Sequence, residues 1–278
     1  MSIAYLNGSW QPLQEARVSV LDRGFMFGDG VYEVIPVYQG KSFAEDEHLA
    51  RLATSLKELH IMMPRSGADW RELFREAIER GDEDEAILYV QVTRGVAGSR
   101  SHVYEDSEPT VLITLSPRVK PSLDHRLSEV TKEDFRWSRG HIKSISLAAN
   151  SLAKNEAISE GYDDAIFIRN GKVTEASSSN VFVVKDGVVV TPIADNFLLH
   201  GITRAQVVAL AKQHNIPFEE RDLSQQELLA ADEVWVTATS IEVWPVQKVN
   251  DQWISNGEVG LIYKKIYNLF QELKCQSN

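Results

Sequence analysis

Lys143 lies in Ile142-Lys143-Ser144-Ile145-Ser146-Leu147, a stretch of apolar and small residues leading into a helix-like run from Ala148 to Glu156. An amine desolvated in such surroundings loses its proton more readily and becomes a nucleophile, as a Schiff-base lysine requires. Taken alone, the same pattern also suits a surface lysine on an alternating strand. Thr174-Glu175-Ala176-Ser177-Ser178-Ser179-Asn180 falls between two hairpin patterns. Its hydroxyls and N–H groups could hold an anion or a polar ring substituent, and Glu175 could face a cationic ring nitrogen. A polar turn or bulge has the same composition. Gly201-Ile202-Thr203 opens a helix, whose N–H groups and dipole favour an anion. Thr237-Ala238-Thr239-Ser240 ends a strand in free hydroxyls. Either is also an ordinary cap or strand end, and Arg51, on an amphipathic helix, is where exposed arginines usually stand. Other chemistries leave no trace: there is no Gly-x-Gly-x-x-Gly after a strand, no phosphate-binding P-loop and no His-Glu-x-x-His. Gly28-Asp29-Gly30 is too short to bind a phosphate by itself and reads as a turn needing positive φ.

The elements that must position these residues follow from the whole chain. Its 278 residues, 43% hydrophobic and 25% charged, suit a globular protein of one large or two modest domains. A net charge of −11 argues against a nucleic-acid-binding role, since phosphate backbones need clustered Lys and Arg. The single cysteine, Cys275, excludes an internal disulfide and a multi-thiolate metal cluster, and it fits a reducing compartment. No stretch approaches the roughly 18–20 apolar residues of a membrane span. The N-terminus turns at Asn7-Gly8 with no basic, then apolar, leader, so the expected location is cytoplasmic.

Asn7-Gly8 predicts a tight hairpin, and 17–37 is apolar and β-leaning. Leu49, Leu52, Leu56 and Leu59 predict a helix over 47–60 capped by Asp46; a second, over 70–80, has Asp69 as its cap. Strands are expected at 86–93 and 110–115. Two prolines, Pro117 and Pro121, then break the pattern. The expected division is a small α/β domain at 1–117, a linker at 118–127 and a larger domain at 128–278. The second half carries hairpins at Asn170-Gly171 and Asp186-Gly187, a helix after Thr203, a capping box at Ser224–Glu227, a strand at 233–239 and a terminal amphipathic helix.

In this order the pieces resemble the fold type IV pyridoxal-phosphate (PLP) enzymes, and among them the D-amino-acid aminotransferases. The resemblance runs nearly end to end. It rests on Asp22 to Val34, Glu47-His48-Leu49-Ala50-Arg51-Leu52, Gln91-Val92-Thr93-Arg94-Gly95, Ile142-Lys143-Ser144, Leu152 to Ala157, Val173 to Phe182, Gly201-Ile202-Thr203-Arg204 and Ala231-Asp232-Glu233-Val234. It implies a two-domain α/β fold, with a small N-terminal domain and a larger, β-rich C-terminal pseudo-barrel that binds the cofactor. It implies that Lys143 carries PLP as a Schiff base and moves the substrate proton, and that Glu175 keeps the pyridine nitrogen protonated. Arg51, Ile202, Thr203 and Thr239 would hold the phosphate, Leu199 would pack on the ring, and Ser178 and Ser179 would support it. Tyr32 with Arg100 and His102 would trap the substrate carboxylate, the last two reached from a partner subunit of a homodimer.

The activity so implied is ping-pong transamination between D-amino acids, such as D-alanine, and 2-oxo acids, such as 2-oxoglutarate. Branched-chain L-aminotransferases and aminodeoxychorismate lyase share the fold, and a non-catalytic PLP-binding protein is the alternative of another class. The sequence departs from the family pattern in a longer 95–99 loop without proline before Arg100, in Ala176 where glycine is common, and in Ala238 for a serine. Trp244 either reshapes the side-chain pocket or is a packed core residue.

Overall fold

The computed structural model describes residues 3–119, 122 and 125–276. The chain divides into two compact units: residues up to Val119 together with Ile142–Leu147, and the stretch up to His141 together with residues from Ala148 on. Lys143 therefore belongs to the first unit, although it lies inside the 128–278 range expected to bind the cofactor. Of the linker expected at 118–127, Lys120, Pro121, Leu123 and Asp124 lie outside the described residues.

The first unit contains β1 (Ile3–Leu6), β2 (Ser9–Pro12), α1 (Arg23–Phe27), β3 (Gly30–Tyr38), β4 (Lys41–Ser42), α2 (Glu45–Glu58), α3 (Gly67–Gly81), β5 (Ala86–Thr93) and β6 (Thr110–Pro117). The strands form one antiparallel sheet in the order β2-β1-β6-β5-β3-β4. Strict alternation along β5 buries Ala86, Leu88, Val90 and Val92 and leaves Ile87, Tyr89 and Gln91 on the other face. Leu52 and Leu56 of α2 and Trp70 and Phe74 of α3 pack on the apolar face, which is where this core lies. The helix caps differ from those expected. Ala44, in the left-handed region, precedes α2 without a side-chain cap, and Asp46 stands in the first turn. Ser66 caps α3, with Asp69 completing a capping box three residues on. The β-leaning 17–37 stretch opens instead with α1, capped by Asp22 and closed by Gly28 at φ +65°.

The second unit contains β7 (Leu127–Glu133), α4 (Ala148–Ser159), β8 (Asp164–Arg169), β9 (Lys172–Ala176), β10 (Asn180–Lys185), β11 (Val188–Thr191), α5 (Ile202–Gln213), β12 (Phe218–Glu220), α6 (Gln225–Leu229), β13 (Glu233–Ala238), β14 (Glu242–Val249), β15 (Gln252–Trp253) and α7 (Leu261–Gln276). Its sheet runs β12-β11-β10-β13-β14-β7-β8-β9, with β15 on β14. β9, at one edge, is joined to β10, third from the other edge, by Ser177–Ser179 alone. So short a connection requires the sheet to curl back on itself, the β-rich half-barrel that the resemblance implies. Its core gathers Ile166, Val181, Val236 and Trp244. Trp244 is 5% exposed and donates its indole N–H to His125 O (2.9 Å), so it is a core residue. Among the described residues, no helix is long and apolar enough to cross a membrane.

Candidate active site

In the first unit, Ile142–Leu147 lies against β3. The Tyr32 N–H donates to Lys143 O (3.0 Å), and the Ile145 N–H to Gly30 O (3.0 Å). A Cβ on Gly30 would stand 2.7 Å from Val92 O and 3.0 Å from Ile145 Cδ1, so only glycine admits the segment this closely. From α2, Ser55 Oγ accepts the Lys143 N–H (3.2 Å). With its backbone held on both sides, Lys143 places Nζ 4.1 Å from the centre of the Tyr32 ring. The Tyr32 ring lies 5.9 Å from that of Tyr89, whose hydroxyl donates to Gln91 Oε1 (2.7 Å). Tyr32 and Gln91 are register partners, so these three side chains share the sheet face away from the core.

Arg51 is not the exposed helical arginine of the local pattern; it is 11% exposed. Its Nε and Nη2 bind the two oxygens of Glu33, both at 2.8 Å, and His48 Nδ1 is 2.7 Å from Glu33 Oε2. Burial raises the proton affinity of Glu33, but Arg51 and His48 overcome this and hold its pKa down to about 2. Burial keeps the His48 pKa below its usual value despite Glu33, so the imidazole is neutral and donates from Nδ1. The proposed phosphate ligand Arg51 is thus already oriented by a buried carboxylate.

Arg100 and His102 are exposed and flank Phe27: the Arg100 guanidinium is 4.9 Å and the His102 ring 5.4 Å from its centre. Motif residues brace their loop. Asp29 accepts from Arg23 Nε and Arg94 Nε, each at 2.8 Å, and Arg23 Nη1 donates to Ser101 O (2.6 Å). Arg94 in turn stacks 3.5 Å over Tyr104. The structure thus pairs Tyr32 with Lys143, and Arg100 with His102.

In the second unit, Glu175 is 6% exposed. Oε1 accepts from Arg136 Nη1 (2.6 Å), and Oε2 accepts the Leu199 N–H (2.9 Å) and Asn180 Nδ2 (3.3 Å). Burial raises its pKa, and Arg136 only partly opposes this because that guanidinium also binds Asp134 through Nε (2.9 Å) and Nη2 (3.1 Å). Ser179 is buried and its carbonyl accepts the Ala176 N–H (2.8 Å), whereas Ser178 is exposed, with Oγ 3.5 Å from Asp164 Oδ2. Leu199 is half-buried. Ile202 and Thr203 are buried in the first turn of α5, which has no side-chain cap, and Thr239 is half-exposed beyond the end of β13. Asn180 also donates to Leu199 O (2.8 Å), and a Cβ on Gly201 would fall 2.0 Å from its Oδ1. Thr237 is the register partner of Asn180, 2% exposed, and its Oγ1 has no protein partner.

Each unit, taken by itself, carries groups that suit a part of PLP. An uncapped helix N-terminus with an orphaned buried hydroxyl nearby suits a phosphate. A buried carboxyl with raised proton affinity suits a protonated ring nitrogen. A lysine fixed through its backbone suits a Schiff base. Sequence reasoning missed Glu33, His48, Arg136, Asn180 and Tyr89. His48 and Arg51 are three apart on α2 and so share a face, a signal present in the sequence. Arg136 has no local signal: it follows the end of β7, and sheet pairing through β8 brings it to Glu175 of β9.

Comparison with known proteins adds independent findings. The amino-transferase class IV family matches residues 30–249. The D-alanine aminotransferase of Listeria monocytogenes serotype 1/2a (strain 10403S) is 39% identical over 264 residues, covering 93% of this chain and 91% of the relative. Among solved structures, the Escherichia coli branched-chain amino acid aminotransferase superposes with a TM-score of 0.90 at 27% identity, covering 98% of this chain and 94% of that one. The T.th. branched-chain amino acid aminotransferase complexed with N-(5'-phosphopyridoxyl)-L-glutamate has a TM-score of 0.89 at 25% identity, covering 97% of this chain and 93% of that one. A family match that spans most of the chain, reached independently of the lysine and carboxylate geometry, establishes that this chain belongs to the class IV aminotransferases, a PLP-dependent family.

Proposed function

We propose that this chain is a PLP-dependent D-amino-acid transaminase, taking the amine of a D-amino acid such as D-alanine and passing it to a 2-oxo acid such as 2-oxoglutarate. The observation that carries the reading is Lys143, clamped through its backbone to β3 with Nζ at the Tyr32 ring. PLP supplies, when bound, an aldehyde that takes up the substrate amine and a cationic ring that withdraws electrons from the substrate Cα. Lys143 Nζ would hold the cofactor through its aldehyde and, freed when the substrate amine takes its place on that carbon, would move the proton from the substrate Cα. Glu175 holds the proton on the ring nitrogen, and Leu199 N–H, Asn180 and Arg136 fix its carboxyl. The phosphate is held by Arg51, by the N–H groups of Ile202 and Thr203, and by Thr239. Leu199 packs on the ring, and Ser178 and Ser179 support its polar edge.

Tyr32, with Arg100 and His102 of a second copy, grips the substrate carboxylate. With that group fixed, one enantiomer alone turns its Cα–H to Lys143. Exposure of Arg100 and His102 beside Phe27 supports their use across a homodimer. A cytoplasmic location and a division into a small domain at 1–117 and a larger one at 128–278 belong to the same reading.

The test mixes the purified enzyme with D-alanine and 2-oxoglutarate and measures pyruvate. Turnover of L-leucine without D-alanine overturns the substrate assignment in favour of the branched-chain enzymes that the chain superposes on. Pyruvate released from aminodeoxychorismate without an amino acceptor indicates a lyase. Lys143→Ala should lower turnover by roughly 10³-fold or more and abolish the yellow colour of the bound cofactor. An unaltered visible spectrum removes Lys143 from the mechanism.

A further inference from the structure

The hairpin of β13 and β14 turns through Thr239–Ile241, and Glu242 re-enters the ladder opposite Ala238. Glu242 has φ +61°. In a three-residue hairpin loop the residue in this left-handed region is usually glycine, because a Cβ is disfavoured there. An outlier of this kind points to a role for its side chain.

That side chain is 5% exposed. Its Oε1 lies 2.7 Å from Lys274 Nζ, and its Oε2 accepts from Gln271 Nε2 at 2.7 Å. Both partners belong to the last turns of α7. Lys274 is 6% exposed, so the pair is closed to solvent. The first turn of α7 is fixed to the same hairpin at its base. Glu233, the first residue of β13, accepts the N–H groups of Ile262 (3.1 Å) and Tyr263 (2.7 Å). Tyr263 also donates its hydroxyl to Val243 O (3.2 Å). The helix therefore runs along the hairpin from base to tip, gripping each end with one glutamate.

We propose that α7 sets the conformation of the hairpin tip, with Glu242 and Lys274 as positioning residues that place Thr239 for the cofactor phosphate. This rests on the reading of Thr239 as a phosphate ligand. The glutamate takes a position suited to glycine because a glycine could turn the chain but could not tie the turn to the helix. The charge of Lys274 is answered by Glu242, so it acts on the phosphate only through the geometry of the turn.

The experiment compares the affinities of the full-length apoprotein for PLP and for pyridoxal, which lacks the phosphate. Glu242→Gly/Lys274→Met removes both buried charges together and relieves the left-handed strain, so the fold is preserved. Its affinity for PLP should fall about tenfold, with pyridoxal binding changed by less than about twofold and the apoprotein melting temperature not lowered. Glu242→Gln, which keeps the turn and the bond from Gln271, should show a smaller loss in the same direction. Thr239→Val should show the same phosphate-selective loss. PLP affinity unchanged in the double variant while Thr239→Val loses it overturns the positioning role alone. Equal losses for PLP and pyridoxal overturn it too, since they report general damage. An unaffected Thr239→Val removes the phosphate reading and the proposal together.

Discussion

Glu33 and Glu175 are both buried glutamates facing an arginine, one in each unit, and their pKa values move in opposite directions. Glu33 receives the whole fork of Arg51, two bonds at 2.8 Å, and adds His48. Its charge is fully answered, and its pKa falls to about 2 despite burial. Glu175 receives one bond from Arg136, whose other nitrogens bind Asp134. Burial prevails, and its proton affinity rises. Asp134 takes two bonds from the shared guanidinium and more from Arg169, so its pKa stays low, and Glu175, with the single remaining bond, is left with an incompletely answered charge. Glu33 is a closed structural pair that fixes Arg51, whereas Glu175 is open to one more cationic partner, as the proposed ring nitrogen would be.

The largest expected effect separates the two in activity. Glu175→Gln keeps the shape of the side chain but removes its charge and turns one of its two acceptors into a donor, so kcat with D-alanine should fall by roughly 10²–10⁴-fold while the protein still folds. A kcat within a few-fold of the parent would place Glu175 with the structural carboxylates. Next, Glu33→Gln leaves Arg51 buried against a neutral group and should destabilise the protein by about 3–5 kcal/mol in urea unfolding. A loss below about 1 kcal/mol would show that solvent or another group answers Arg51.

The third separates them by pH. The folded pKa of Glu33 is depressed, so its contribution of about 3 kcal/mol is present above the unfolded value of 4.5 and disappears as pH falls toward 2. His48 has the same sign: its depressed pKa makes stability fall as pH drops below 6.5. Glu175 has the opposite sign. Its raised pKa contributes stability below 4.5 that is lost as pH rises through the folded value. Urea unfolding of the apoprotein between pH 3 and 8 should therefore lose part of its acid limb in Glu33→Gln, while Glu175→Gln should lose the decline in stability that accompanies ionisation of Glu175 above pH 4.5. Parallel curves for both variants would erase the contrast.

The smallest effect tests the sharing of Arg136. Asp134→Asn returns more of that guanidinium to Glu175, and the basic limb of the pH–rate profile should move by about half a unit or more. An unmoved profile would mean that Asp134 does not compete.

Much of this was legible in the sequence. β5 shows its alternation openly, and the Ser224–Glu227 capping box is where the spacing placed it. What stayed hidden depends on neighbours. β7, Leu-Ser-Glu-Val-Thr-Lys-Glu, reads as polar, yet it lies between β14 and β8 with Glu129 fully buried. β14 carries Pro245, which argues against an interior strand, and its pairing to β7 shifts register just beyond that residue, between Val246 and Lys248. α1 is too short to show a period. At the site, Lys143 and Glu175 stood in recognisable motifs, but the partners that set their behaviour, Ser55 and Arg136, come from distant segments joined only by folding.

The return of Ile142–Leu147 to the first unit also fixes an order of events during synthesis. The sheet's last strand, β6, ends at Pro117, yet the segment that satisfies the Tyr32 N–H and the Gly30 carbonyl emerges from the ribosome some two dozen residues later. Until then β3 presents bare backbone groups to solvent. A nascent chain halted near Val119 would carry Tyr32 without Lys143, so the pair proposed to meet the substrate is assembled only once the second half of the gene is being read.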